Sequence, residues 1–546
     1  MAKKQLNLER VAQERFGFSE WRPGQKQAIE AVLSGRDTLA IMPTGSGKSA
    51  IYQIAAFLIP GCTVVVSPLV ALQRDQAQSI ATQPIGDAAV VNSAISASDR
   101  QEAFEQLEEG DLEFLFLAPE QLSNPETFER LQTAEPTLFV IDEVHCVSAW
   151  GHDFRPDYLR LGQVIESLGH PRILALTATA APLVQTEIIE RLGMKKPAVI
   201  VQGFDRPSIE LSVERFEQDD DKQAYLIQQV LRAEKPGLVY AATRRRTEEL
   251  AEVLEQAGVR AGFYHAGMKA AERRQFETAF MQNEIEVLVA TTAFGMGIDK
   301  PNIRFVFHAD ISDSIDSYYQ EIGRAGRDGE PARAVLFYNP ADLSLKRFFS
   351  GRGEVQPEVI CLMLTAVATS PQPISVKQLQ EKTELSKLKL NKLLNSLTEI
   401  DVLEVSPSGE ISFCEPIDNL EAVSQYVAEK ITQAQKQRQK FEQSRLEMMR
   451  SYADVKGCRR EYLLNYFGEQ YNSPCNNCDN CKAGVSVEAS SHQPYALNSQ
   501  VTHKEWGLGT VLRYEGDKVT ILFDRVGYKT LDIQTALLRR LLQRVT

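Results

Sequence analysis

Short apolar runs set the rhythm of the first two hundred residues. TLAIM (38–42), TVVVS (63–67), FLFLA (114–118), LFVID (138–142) and ILALT (173–177) are continuous rather than alternating. A strand with one wet face alternates apolar and polar positions. A continuous run suits a parallel strand covered by helices on both faces. A second block repeats the pattern with GLVYA (237–241), AGFYH (261–265), VLVAT (287–291), RFVFH (304–308) and RAVLFY (333–338). The stretches between the runs are long enough for crossover helices, so the pattern predicts an α/β chain with two consecutive parallel-sheet units.

The period changes after about residue 350. PEVICLMLTAVATS (357–370), SVKQLQEKT (375–383) and LSKLKLNKLLNSL (385–397) read as three helices, and VLEVSPSGEISF (402–413) as a hairpin turning at Gly409. That is the order of a winged helix. Residues 417–455 are polar, rich in helix formers and free of Gly and Pro, which predicts one long helix. VSVEASSHQPYALNSQ (485–500) reads as a linker, and 501–531 as a small twisted sheet with glycine turns. The expected organisation is 1–207 and 208–350 as the two α/β units, 351–415 as a winged-helix-like domain and 416–484 as a long helix with a cysteine module. A linker over 485–498 and a small β-barrel over 499–546 complete it.

Composition narrows the class. With 43% hydrophobic and 24% charged residues, the 546-residue chain is that of a globular protein. It has no apolar run long enough to span a bilayer. The basic start MAKKQLNLER continues into polar residues where a signal peptide is apolar. The expectation is a cytoplasmic protein with no membrane partner. A net charge of −13 argues against non-specific coating of nucleic acid, though not against a local basic groove, because charges are screened over about 8 Å. Of eight cysteines, Cys62, Cys146, Cys361 and Cys414 stand alone in apolar or strand-like contexts and read as buried structural thiols. The other four cluster.

Three motifs carry chemistry. MPTGSGKS (42–49) follows an apolar run and opens a helical stretch. There a glycine-rich loop can wrap phosphates with backbone N–H groups at a helix N-terminus. Thr44, Gly45, Ser46 and Gly47 form the loop, Lys48 reaches the β- and γ-phosphates, and Ser49 holds Mg²⁺. The strict pattern starts with Gly, where this chain has Met42. At the end of LFVID, Asp142 can hold Mg²⁺ directly or through water, and Glu143 can orient or deprotonate an attacking water. In the second block, YYQEIGRAGRDG (318–329) sets Arg324 and Arg327 three apart, on one face if the segment is helical. Neither is needed for a core, and planar permanent cations suit a γ-phosphate approached from a second unit. An ATP site split in this way turns hydrolysis into closing and opening.

DEVHCVSAWGHDFRPDY (142–158) packs carboxylates, two histidines and a cysteine into one run. The spacing of His145, Cys146 and His152 matches no usual zinc set, and nothing near Cys146 resembles an acyl-transfer site. Cys458, Cys475, Cys478 and Cys481 are different: two tight turns of two intervening residues suit a closed tetrahedral Zn²⁺ site, and an iron–sulfur cluster takes the same four thiolates.

The order FGFSEWRPGQ (16–25), MPTGSGKS, VVSPLVALQRDQ (65–76), LAPEQL (117–122), DEVHCVSAWGHDFRPDY, LTATA (176–180), VATTAFGMGIDKPNIRFVFH (289–308) and YYQEIGRAGRDG resembles the RecQ family of DNA helicases. The resemblance is continuous over residues 10–345 and resumes at CRREYLLNYFGE (458–469) with PCNNCDNC (474–481). It implies two RecA-like domains and an ATP-dependent enzyme, moving 3′ to 5′ on one strand of tailed or branched DNA with ATP and Mg²⁺, in recombination, repair or replication. It decides the cysteine set for structural zinc. It further implies that Phe18 stacks on adenine while Arg22 and Gln25 read it, and that Thr177 and Thr179 couple nucleotide state to the domain interface. Trp150 and Phe154, in a loop shared with His152, would stack on or pack near single-stranded bases. Arg155 would take a phosphate or carboxylate, and His145 would bridge the domains near Gln320. Arg459 and Arg460 either touch DNA or are solvated helix charges.

The chain departs from the family in two places. A winged-helix-like stretch precedes the cysteines, with Lys387, Lys389 and Lys392 near its would-be recognition helix, serving DNA or protein contact. Only about 65 residues follow Cys481, and they resemble the Tudor-like barrel that ends UvrD-type helicases, where such barrels bind proteins. The rival activity is an ATPase that translocates on or remodels nucleic acid, RNA included, without separating DNA strands.

Overall fold

The structure is a computed structural model that describes residues 8–82, 85–148, 155–295, 300–343, 357–370, 373–400, 402–406, 409–415, 420–471, 473–485 and 493–545. Trp150, His152 and Phe154 lie outside the described residues.

The first unit is a seven-stranded, all-parallel sheet of β1 (Thr38–Ile41), β2 (Thr63–Val66), β3 (Ala88–Val91), β4 (Phe114–Leu117), β5 (Leu138–Ile141), β6 (Arg172–Thr177) and β7 (Ala198–Val201). Their order is β3-β4-β2-β5-β6-β1-β7. The second is a parallel sheet of β8 (Ile209–Arg215), β9 (Gly237–Tyr240), β10 (Ala261–Tyr264), β11 (Val287–Ala290), β12 (Phe305–His308) and β13 (Ala332–Tyr338), in the order β10-β11-β9-β12-β13-β8. Each of the ten apolar runs named above is a strand. Phe114, Phe116 and Phe139 are wholly buried, and each such side chain contributes roughly 1.5–3 kcal/mol on leaving water. The runs do not reveal β3, β7 and β8, and all three are sheet edges. Only β8, IELSVER, is mixed in sequence; β3 and β7 are the short apolar runs AAVV and AVIV, and as edges they are only partly covered, with Val199 and Val201 on β7 44% and 40% exposed.

Beyond the second sheet, helices Pro357–Ala368, Val376–Thr383 and Lys387–Glu399 and the hairpin strands β15 (Leu403–Val405) and β16 (Glu410–Phe413) follow in the expected order, and an unexpected short strand β14 (Ile374–Ser375), between the first two helices, pairs antiparallel with β16. A helix of 35 residues, Leu420–Asp454, comes next. Cys361 and Cys414 are exposed, whereas Cys62 and Cys146 are buried, so half of the lone-cysteine expectation is corrected. Cys361 lies in an amphipathic helix and Cys414 just past the end of β16, where an apolar context does not ensure burial.

The last segment is an antiparallel sheet, order β20-β19-β18-β17-β21, of β17 (Gln500–His503), β18 (Gly507–Glu515), β19 (Lys518–Phe523), β20 (Gly527–Asp532) and β21 (Leu542–Arg544). The expected linker ends early: Tyr495 is buried in this sheet's core, and its backbone exchanges hydrogen bonds with the Tyr514 hydroxyl at 2.9 and 2.7 Å. The sheet is seated on the rest of the chain. The Tyr528 hydroxyl donates to that of Tyr466 at 2.7 Å, which donates to Asp316 at 2.6 Å, and Arg445 donates to Asp316 at 3.3 Å and Ser314 at 2.9 Å. All five side chains are buried, and the Arg513 guanidinium lies 3.7 Å from the Tyr462 ring centroid. Among the described residues no helix is long and apolar enough to cross a membrane.

Candidate functional site

Strand β1 runs into the loop 42–47, and helix Lys48–Leu58 starts where the loop ends. Gly45 and Gly47 adopt φ of 80° and 76°. A Cβ on Gly47 would sit 2.6 Å from the Gln25 amide nitrogen, so only glycine fits. Gln25, 1% exposed, donates to the Ser46 and Gly47 carbonyls at 3.1 Å and accepts from the Arg22 amide at 2.9 Å. The Arg22 guanidinium donates to the Gly45 carbonyl, and Phe18 stacks on Trp21. Of the three residues expected at the base, Arg22 and Gln25 thus grip the backbone of the phosphate loop, while Phe18 stacks on Trp21 just before them.

The loop fits a polyphosphate. The Ser46 hydroxyl is buried with no hydrogen-bond partner, and the Lys48 ammonium rests on the Met42 and Pro43 carbonyls at 3.1 and 3.4 Å. Burial pushes the Lys48 pKa down, while Glu143 and Asp142 pull the other way. Asp142 follows β5. Its carboxyl is pushed up to about 7 by burial and the adjacent Glu143, with Lys48 opposing. A site that disfavours its own carboxylate in this way is matched to a cation, and Ser49 and Asp142 are the residues that would hold Mg²⁺.

Glu143 has φ 48°, a left-handed turn that ends the strand. Its carboxylate lies 3.3 Å from His145 Nδ1, which is also 2.8 Å from the Thr177 hydroxyl. Thr177 donates to the Thr179 carbonyl at 3.0 Å, and Gln320 of the second unit donates to the Thr179 hydroxyl at 3.2 Å. Burial works against a charged His145, but Cys146 and Glu143 outweigh it and hold its pKa well above the ordinary histidine value. A continuous polar path therefore crosses between the units. His145 reaches Gln320 through the two threonines rather than directly.

The two arginines sit differently from expectation. The helix carrying Gln320, Ile315–Ile322, stops at Gly323, and Gly326 takes φ 56°, so Arg324 and Arg327 occupy turns instead of one helical face. Arg327 lies over the phosphate loop, with its stem 3.5 Å from where a Gly45 Cβ would be. Arg324 is buried toward Gly295 and Tyr240. The structure brings Lys48, Asp142, Glu143 and Arg327 to one cleft and turns Arg324 toward the second sheet.

Two residues escaped the motif reading. Arg206 donates to the Thr44 carbonyl at 3.3 Å and to Gly323, Ala325 and Gly326 carbonyls at 3.1, 3.0 and 3.4 Å. Glu187, on helix Pro182–Arg191, accepts from the Ser148 hydroxyl at the root of the aromatic loop and from Arg191 at 2.7 Å. Neither lies in a pattern with local meaning. At the loop's other end, Arg155 donates to the Pro68 carbonyl at 3.2 Å.

The sulfur atoms of Cys458, Cys475, Cys478 and Cys481 lie within 4.8 Å of one another. Backbone N–H groups of Glu461, Asn477 and Cys481 point at three of them, at 3.4–3.5 Å, which favours thiolates. Four convergent thiolates with no open position fit structural zinc. Arg459 and Arg460 are corrected: they are 5% and 4% exposed, paired with Asp479 and Asp205, and neither solvated nor open to DNA. A charge pair on a short helix hides its burial from the sequence, because the partners lie 20 and 255 positions away.

Comparison with known proteins agrees with this geometry. The chain matches the family models described as DEAD/DEAH box helicase over residues 22–187, helicase conserved C-terminal domain over 221–329 and RecQ zinc-binding over 418–482. It is 34% identical to a probable ATP-dependent DNA helicase RecS of Bacillus subtilis, covering 92% of this chain and 99% of that one. It is 35% identical to the ATP-dependent DNA helicase RecQ of Pasteurella multocida over 85% of this chain and 61% of that protein, so it is similar to about three-fifths of the RecQ length. Among solved structures, the Mycobacterium smegmatis helicase Lhr bound to ssDNA and AMP-PNP shares the fold, with TM-score 0.50 and 22% identity over 78% of this chain and 60% of that one. The chain belongs to the RecQ family of ATP-dependent DNA helicases.

Proposed function

We propose that this chain is a DNA-stimulated ATPase that moves 3′ to 5′ on one strand and unwinds tailed or branched duplex DNA. The polar path from Glu143 through His145, Thr177 and Thr179 to Gln320 carries this reading, because it joins the water-activating position to the opposite unit. Lys48 and Arg327 neutralise phosphate charge, Arg324 supports the second unit's side of the cleft, and Glu143 orients the attacking water. Bound Mg²⁺ supplies charge neutralisation at the phosphates. Phe18, Arg22 and Gln25 form the base end of the site beside Thr44, Gly45, Ser46, Gly47 and Ser49.

Trp150, His152, Phe154 and Arg155 belong to the loop that begins at Glu143. Bases stacking on its aromatics, at about 1–3 kcal/mol each, can then shift the carboxylate. The zinc module is structural. The three-helix unit at 357–413 works as a winged helix, and the C-terminal sheet as a small barrel open to a protein partner on its outer surface. We take the domain boundaries of the sequence expectation, save that the C-terminal sheet includes Tyr495, and the enzyme acts on DNA in the cytoplasm or nucleoid. The reading is tested by ATP turnover and strand separation on 3′-tailed, 5′-tailed and blunt DNA, with RNA controls. Unwinding of the 3′-tailed substrate alone is expected. Turnover stimulated by DNA without strand separation on any substrate would favour the translocase reading.

A further inference from the structure

Arg206 lies in the connection between the two sheets, just before β8. Its guanidinium is partly buried, yet among the described residues no carboxylate lies within ion-pair distance of it. The neighbouring Asp205 is taken by Arg460. All four acceptors around Arg206 are backbone carbonyls, three on the turn that follows helix Ile315–Ile322 and one, Thr44, in the phosphate loop of the other unit. Helix C-termini carry partial negative charge and unsatisfied carbonyls, so a cation there is stabilising. The planar fork of arginine can serve two separate segments at once, which a lysine ammonium does less well.

The contacts are unequal. Three hold Arg206 to the arginine turn, and one, at 3.3 Å, holds it to the phosphate loop. When the cleft opens, Arg206 stays with the turn and the Thr44 bond is the one that breaks. The zinc module fixes the base of the side chain. Arg460 donates to Asp205 and to the Arg206 and Ile209 carbonyls at 2.7 and 2.6 Å. Phe204 stacks on Phe467 at 4.7 Å, its amide donates to Glu469 at 2.7 Å, and its carbonyl accepts from Tyr319 at 2.5 Å.

We infer that Arg206 is a positioning residue for ATP hydrolysis, latching the Arg324–Arg327 turn onto the phosphate loop when the cleft closes, and that the zinc module sets its position through Arg460. This rests on the ATP-site reading above. Arg206 acts through Thr44 and the arginine turn; it does not itself touch the nucleotide. The latch makes closure, and so the response to DNA, more favourable than it is without Arg206.

The experiment measures ATP turnover of the full chain with and without 3′-tailed DNA and takes the ratio, which a smaller folded fraction does not change. Arg206→Ala is expected to lower the ratio about 10-fold, Arg206→Lys to recover part of it, and Arg460→Gln to lower it less than Arg206→Ala. A wild-type ratio in Arg206→Ala overturns the inference. So does an equal fall of both rates, which is the mark of a purely structural residue. If Arg206→Ala does not fold, Arg206→Lys decides alone, a wild-type ratio again overturning the inference. Lys48→Ala separates the two levels: turnover retained there sinks the ATP-site reading itself, whereas Lys48→Ala inactive with a normal Arg206→Ala ratio sinks only the latch.

Discussion

At the scale of single residues, the chemistry legible in the chain is the chemistry that is local. Lys48, Ser49, Asp142 and Glu143 sit beside their own strand ends, so a short motif holds all the information needed to place them. Arg206, Arg459 and Arg460 act on groups far along the chain, and a side chain's partner at such separation leaves no mark in its neighbourhood. Gln320 lies between these cases, with a recognisable motif but a partner, Thr179, 141 positions away. Gln320→Ala removes the Gln320–Thr179 hydrogen bond, one of those that join the units. We expect DNA-stimulated turnover to fall by about 5- to 150-fold, the range of typical coupling energies, with ATP-analogue binding nearly unchanged. Parallel loss of binding and turnover would assign Gln320 to the nucleotide pocket instead.

At the scale of elements, a strand covered on both faces is legible from its apolar run, whereas the edge strand β8 is not. Strands β2, β5 and β6 are flanked on both sides and above and below, so all their positions but Arg172 are buried and most are apolar. Strand β8 reads IELSVER because one of its long edges faces something other than a strand of its own sheet. That edge is covered by the zinc module: Leu211 and Val213 amides donate to the Asn477 carbonyl at 3.2 Å and the Asp479 carboxylate at 3.0 Å, and Leu211 bridges to Cys478. Helix Ile315–Ile322 ends at Gly323, short of both arginines, which the motif does not reveal because a glycine can either interrupt or end a helix. Chelating the zinc should speed hydrogen exchange at the Leu211 and Val213 amides by roughly 100-fold or more, while amides of β12 stay protected. Unchanged protection at both would show that the cysteines hold this cover without metal.

At the scale of the whole molecule, the C-terminal sheet is part of the motor's body. Asp316, at the first turn of the helix that carries Gln320, receives Tyr466 from the zinc module and Arg445 from the long helix, and Tyr528 of the sheet completes the set. Removing one member of a buried ion pair typically costs 3–5 kcal/mol. Asp316→Ala is therefore expected to lower stability by about that amount, read by chemical denaturation, and to expose the 493–545 segment to limited proteolysis. An intact, protease-resistant C-terminus would mean that apolar contacts alone seat the sheet. The cover over β8 also orders events during synthesis. The seven-stranded sheet is complete once residue 201 has emerged, but the edge of β8 waits for Asp479, 266 positions after Val213. At ribosomal speeds that interval is roughly 15–50 s, during which a nascent chain carries an open strand edge that its own zinc module closes last.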